Sequence, residues 1–135
     1  MVDCSILCSS EGLLNPRQLT RKWIFYGGSL CRKSLWERLN GYTQEFSYDG
    51  QDVDFWMRAL ISGAKGTYIN HAIYEWNRSK KGMNYNAPKE KWLDVYLKNI
   101  EFFDRFGNGI RAKASFILEY ISMARFKKAG KLASS

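Results

Sequence analysis

Residues 26–42 read YGGSLCRKSLWERLNGY and residues 49–60 read DGQDVDFWMRAL, and the reading of these two stretches decides the fold. The second is the clearest helix in the chain. Val53, Trp56, Met57, Leu60 and Ile61 repeat at helical spacing across the run from Asp52 to Ser62, and Gly63 closes it. In the first stretch, the aromatic and β-branched run from Trp23 to Leu30 reads as a strand that breaks at Gly27 and Gly28. Those glycines mark either a bulge or turn, or a place where a ligand approaches the backbone. Lys33 to Leu39 then reads as a short helix with Leu35, Trp36 and Leu39 on one side, stopped by Asn40 and Gly41 through C-cap chemistry.

Outward from this centre, Val2 to Cys8 reads as a short apolar strand and Ser9 to Gln18 as a loop. Downstream, Lys65 to Asn70 and Ala72 to Asn77 read as extended runs, followed by a polar loop from Arg78 to Ala87. Two helices finish the chain, Pro88 to Phe106 and Ile110 to Lys128, separated by Gly107, Asn108 and Gly109. Strands and helices in this succession predict an α/β fold, with residues 1–87 as one unit and 88–135 as a C-terminal helical extension.

With 45% hydrophobic and 16% aromatic residues among 135, the composition supports one domain with a real core and argues against disorder. Charge is uneven. From Arg105 onward seven basic residues stand against Glu119 alone, so this tail carries +6 of the net +8. A basic tail on a balanced body suits an anionic lipid surface or a phosphate-bearing ligand better than nucleic acid, and no nucleic-acid-binding pattern appears. Cys4, Cys8 and Cys31 show no CxxC pairing, and Cys4 and Cys8 on one strand would lie about 13 Å apart, too far to bridge. A reducing compartment is expected. No run of about 18 apolar residues and no leader pattern is present, which predicts a cytoplasmic chain, soluble or peripheral on the cytoplasmic face of the membrane.

The order of features from Tyr26 to Arg58 resembles the second half of family 2 glycosyltransferases. That pattern runs G-G-S, a basic pair, G-G-[FY], then [EQ]-D-x-D followed by an aromatic and an Arg. Here it is matched by Gly27, Gly28 and Ser29, Arg32 and Lys33, Gly41 and Tyr42, and then Gln51, Asp52, Asp54, Trp56 and Arg58. The resemblance implies a partial GT-A, Rossmann-like domain that transfers a sugar with inversion from a nucleotide-sugar donor to a glycan or lipid-linked acceptor.

It also implies roles. Asp52 would be the general base that takes the acceptor hydroxyl's proton, and a helix N-terminus is a place that favours negative charge. The competing role for Asp52 is that of helix N-cap. Gly27, Gly28, Gln51 and Asp54 would contact substrate. Trp76, Arg78 and Lys81 would lie in the loop over the leaving diphosphate, where a cation offsets growing charge; the alternative is a solvated basic loop. His71 reads as structural, and no metal ligand is assigned. Relatives hold Mg²⁺ or Mn²⁺ through an Asp-x-Asp motif in a first half, and Asp52-Val53-Asp54 opens a helix where that motif would end a strand. The chain is therefore expected to begin midway through such a domain, and to need the missing N-terminal half or to self-associate as a dimer. A catalytically silent module that binds glycans or a membrane surface is the alternative.

In the last helix Ile110, Ala114, Ile117, Leu118, Ile121 and Ala124 form one apolar stripe. Packing against the core and docking on a membrane both account for it, with Phe116 and Phe126 lying off the stripe.

Overall fold

Helix α3 (Gln51–Ile61) begins where glycine alone suits the backbone. Gly50 sits in the left-handed region at φ 81°, and its carbonyl accepts the first helical bond from Asp54 N at 2.9 Å. The helix ends at Ser62, and Gly63 turns the chain away at φ 88°. Between these limits Val53, Phe55, Trp56, Met57, Ala59 and Leu60 are all buried, so α3 is apolar on two faces and packs on both. The computed structural model describes residues 12–21, 29–46, 50–68 and 89–133.

One face of α3 meets α4 (Lys89–Lys98) and α5 (Ile100–Phe106), and both of these back onto the long helix α6 (Gly109–Ala133). Val53, Met57 and Leu60 pack there with Val95, Phe102 and Phe103, joined by Leu19 and Phe46. Burial of each such side chain contributes about 1.5–3 kcal/mol, so this cluster is the main apolar support of the structure. Residues on both sides of position 88 share it. Rings deepen the packing: Phe102 meets Phe103 edge-on at 5.4 Å, and Tyr96 stacks on Phe116 at 5.4 Å.

The other face of α3 meets α2 (Lys33–Arg38) through a second cluster of Phe55, Trp56 and Ala59 with Leu35, Leu39 and Tyr42. After α2 the chain reverses through two consecutive left-handed residues, Asn40 at φ 56° and Gly41 at φ 61°. A Cβ at Gly41 would stand 2.7 Å from Trp36 Cζ2, so the ring of Trp36 closes over this turn. A single 3₁₀ turn, Gln44–Phe46, then places Phe46 in the main core. It is tied to α4 by Lys98, which donates to Glu45 and lies 5.0 Å from the Phe46 ring centroid.

The remaining elements are short. Pro16–Leu19 forms α1, capped by Asn15, whose side chain accepts from Arg17 N at 3.0 Å. Gly12–Leu13 (β1) pairs antiparallel with Thr67–Tyr68 (β2), Gly12 opposite Tyr68 and Leu13 opposite Thr67.

This arrangement corrects the expected α/β, GT-A-like class. The described residues are mostly helical, and their β-structure is one antiparallel ladder two residues long, not a parallel sheet with crossover helices. The expected strands at Val2 to Cys8 and Ala72 to Asn77 lie outside the described residues, as does most of Trp23 to Leu30. Ser29 and Leu30 are described and belong to no strand, and Leu30 is 94% exposed, which a buried strand end would not be. Short aromatic runs carry no periodicity that separates strand from other buried structure; the helical repeats do, and the core follows them.

Helix boundaries shift in informative ways. The predicted single helix Pro88 to Phe106 is interrupted at Asn99 (φ −99°, ψ 31°), whose side chain is used by a network described below. Ser9 to Gln18, read as loop, holds β1 and the first three residues of α1. In α6 the face that meets the core carries Ala112 and Phe116, with Tyr120 and Met123 half-buried beyond them. The stripe from Ile110 to Ala124 faces away, which removes core packing as its explanation.

Gly50 and Gly63 allow a paired test. Gly63→Ala meets nothing within 4 Å and is expected to cost only left-handed strain, about 1 kcal/mol. At Gly50 an added Cβ would stand 2.7 Å from Val95 Cγ2, so Gly50→Ala must also displace a core residue and is expected to cost about 2–4 kcal/mol in urea unfolding. Equal costs would show that the approach of Val95 does not constrain the start of α3.

Candidate functional site

Two carboxylates two residues apart on a helix point about 200° away from each other, and the start of α3 exploits this. Asp54 points inward and is 0% exposed. Its Oδ2 accepts from Arg58 Nε at 2.8 Å, one helical turn on, and its Oδ1 accepts from Asn99 Nδ2 at 2.9 Å. Asn99, at the break between α4 and α5, also donates back to Val95 O in the last turn of α4 at 3.0 Å. A buried carboxylate costs several kcal/mol unless paired and hydrogen-bonded, and here both oxygens are satisfied.

Arg58 extends the network to the other side of α3. Nη1 donates to Leu39 O at 2.7 Å and Nη2 to Gly41 O at 2.8 Å, so one guanidinium holds the carbonyls on either side of Asn40 in the turn after α2. Its carbon lies 5.8 Å from the Phe55 ring centroid. The turn thus held delivers Tyr42, whose ring packs edge-on against Trp36 at 4.6 Å and Phe55 at 5.6 Å.

Asp52 is the half-buried member of the pair. The N-cap of α3 is Gly50, with Asp52 as the second helical residue, which corrects the reading of Asp52 as the cap. Its Oδ1 accepts from Val53 N at 2.9 Å. Tyr42 shares its electrostatic surroundings: the phenol is raised above its ordinary value first by burial, then by the negative charge of Asp52, then by Cys31. The charge of Asp52 is thus felt at Tyr42, and half-buried Gln51 precedes Asp52 in the first turn of α3.

Of the sequence-predicted site residues, the structure brings Gln51 and Asp52 together at this helix end and assigns Asp54 to the interior. Asp54, expected to contact substrate, is buried and bonds Arg58 and Asn99. Gly27, Gly28, Trp76, Arg78, Lys81 and His71 lie outside the described residues. Sequence reasoning passed over Asn99 as a site-supporting residue, although an Asn interrupting an apolar helical repeat is a usable sign of a buried polar partner. The described residues do not fit a divalent cation: no group of three or more His, Cys, Asp or Glu converges among them, and Asp54 is already committed.

Arg58→Ala is expected to lower unfolding free energy by about 3 kcal/mol, because it strands the Asp54 carboxylate and two turn carbonyls. A loss below about 0.5 kcal/mol in urea melts would show that the turn stands without the guanidinium.

Tyr42 gives a pH test. An acid whose folded value exceeds its unfolded value keeps its proton longer when folded, so the associated stability is intact below about pH 10 and is lost as pH rises through the folded value. In nuclear magnetic resonance titrations of ring-labelled tyrosine, Asp52→Asn is expected to move Tyr42 toward its ordinary value but not fully, since burial remains. An unchanged titration would separate Tyr42 from Asp52.

No protein-family model, no curated protein and no solved structure matches the chain. The resemblance to family 2 glycosyltransferases rests on the quoted residues and their order.

Proposed function

We propose that this chain carries the acceptor-activating portion of an inverting, family 2 nucleotide-sugar glycosyltransferase, with Asp52 as general base. The reading brings no α/β fold with it. The observation that carries it is the division of labour at the start of α3: Asp54 is sunk and bonded on both oxygens, while Asp52 stays half-buried at the helix end beside Tyr42.

The chemistry follows from these positions. The acceptor hydroxyl oxygen attacks the anomeric carbon of the donor sugar and gives its proton to the Asp52 carboxylate. The new glycosidic bond forms as the bond from the anomeric carbon to the diphosphate oxygen breaks, and the nucleoside diphosphate leaves from the opposite face. Tyr42, a neutral phenol whose pKa burial and the charge of Asp52 raise further, is a hydrogen-bond donor for acceptor oxygens, and Gln51 adds an amide in the same helical turn as Asp52. Gly27 and Gly28 are assigned to contact with the sugars, and Trp76, Arg78 and Lys81 to the leaving diphosphate, on the strength of the resemblance. The donor and the Mg²⁺ or Mn²⁺ that accompanies it are held outside the described residues, by this chain or by a second polypeptide carrying the donor-binding half. The acceptor is a glycan or a lipid-linked glycan.

The test is transfer by a full-length or reconstituted protein, read as release of nucleoside diphosphate. Asp52→Asn is expected to lower kcat by about 10²–10⁴-fold with donor binding and thermal stability nearly unchanged. Transfer retained within a few-fold would remove Asp52 from the chemistry. Glycan binding with no transfer from any donor, unaffected by Asp52→Asn, would identify the chain as a silent acceptor-binding module.

A further inference from the structure

Helix α6 has two apolar faces, and one of them is covered. Ala112 and Phe116 pack against the core, with Phe116 stacked on Tyr96 and edge-on to Phe103 at 5.3 Å. On the far side Ile110 is 85% exposed, Ile117 44%, Leu118 66% and Ile121 43%, with Ala114 and Ala124 exposed among them. At 3.6 residues per turn these positions fall within an arc of about 120°, and the exposed Arg111 and Lys113 border that arc on its two sides. Four large aliphatic side chains kept in water beside one another cost free energy that a partner would recover.

Charge selects the partner. Residues 109–133 contain six basic residues and Glu119 alone, a net +5 on the helix that carries the stripe. A second copy laid along the stripe would set like charge against like charge. Nucleic acid would use the cations and leave the aliphatic groups unsatisfied. An anionic lipid surface takes both: headgroup phosphates meet the bordering Lys and Arg while the aliphatic arc enters the acyl boundary. No helix among the described residues is long and apolar enough to cross a membrane, so a lipid-bound α6 would lie along the interface. Its 25 residues extend about 37 Å.

We propose that the outward face of α6, Ile110, Ile117, Leu118 and Ile121 with Arg111 and Lys113 at its borders, docks the protein on an anionic lipid surface. Docking is independent of the reaction proposed above and needs neither donor nor acceptor.

Vesicle flotation with the intact chain tests it. The chain is expected to float with phosphatidylcholine vesicles containing about 30 mol% phosphatidylglycerol, not with phosphatidylcholine alone, and to be released by salt. Leu118→Asp, at a site 66% exposed and outside both core clusters, and Arg111→Glu with Lys113→Glu are each expected to weaken partitioning by roughly tenfold or more. Ser115→Asp adds the same charge outside the arc and is expected to cost at least roughly fivefold less than Leu118→Asp. Circular dichroism melts confirm that each variant folds. No flotation with anionic vesicles, or equal losses from Ser115→Asp and Leu118→Asp, overturns the proposal. So does a dimer in light scattering that Leu118→Asp dissociates while vesicles stay unbound, because a second copy would then be the occupant.

Discussion

Three polar side chains, Asp54, Arg58 and Asn99, join elements that apolar contact alone would leave free to slide. Phe, Leu and Val packing is tolerant of register, since a helix shifted by a turn still buries an apolar face. A carboxylate with no exposure is not tolerant. It must find Arg58 on its own helix and Asn99 at the junction of α4 and α5, and Arg58 must then reach the carbonyls of Leu39 and Gly41. Each displacement of α2, α4 or α5 relative to α3 breaks one of these bonds, buried at Asn99 and part-buried at Arg58, which makes the network a specification of position more than a source of net stability.

The same network explains the irregularities of backbone around it. Helix α4 does not run on into α5 because Asn99 departs from helical geometry while its amide spans Asp54 Oδ1 and Val95 O. The turn after α2 takes two left-handed residues in succession so that the Leu39 and Gly41 carbonyls converge on one guanidinium. Gly50, left-handed with Val95 against it, lets α3 begin close to α4. Strain at these points is small for glycine and modest for asparagine, and buried hydrogen bonds offset it.

Legibility from sequence follows from how local each feature is. The helix from Asp52 and the short helix from Lys33 were readable to within a residue or two, because their apolar spacing and their closing Asn and Gly residues are local signals. The fold class was not, because aromatic runs such as WIFYGGSL have no periodicity to separate strand from other buried structure, and described residues at its end, Ser29 and Leu30, are outside any strand. The α6 stripe was seen as apolar, but which apolar face meets the core depends on where α4 and α5 lie. At the site, Gln51 and Asp52 were identified by motif order. Asp54 was grouped with them because spacing of two says nothing about which side of the helix the core occupies, and Asn99 is 45 residues away from its partner in sequence.

The contrast between Asp52 and Asp54 is the step from fold to chemistry. Both stand in the first turn of α3, where the helix end favours negative charge, so the dipole does not distinguish them. What does is the 200° between them, which sends one carboxylate into the Arg58 network and leaves the other at the border of the structure. A base needs that border: it must meet a hydroxyl from outside, yet its surroundings must not drift between turnovers. If Asp52 is the base proposed above, Asp54 meets the second need for it. By fixing Arg58, and through it the turn that carries Tyr42, the buried carboxylate steadies the surroundings of the half-buried one, so under the proposed function a single short motif would supply both the base and the rigidity around it.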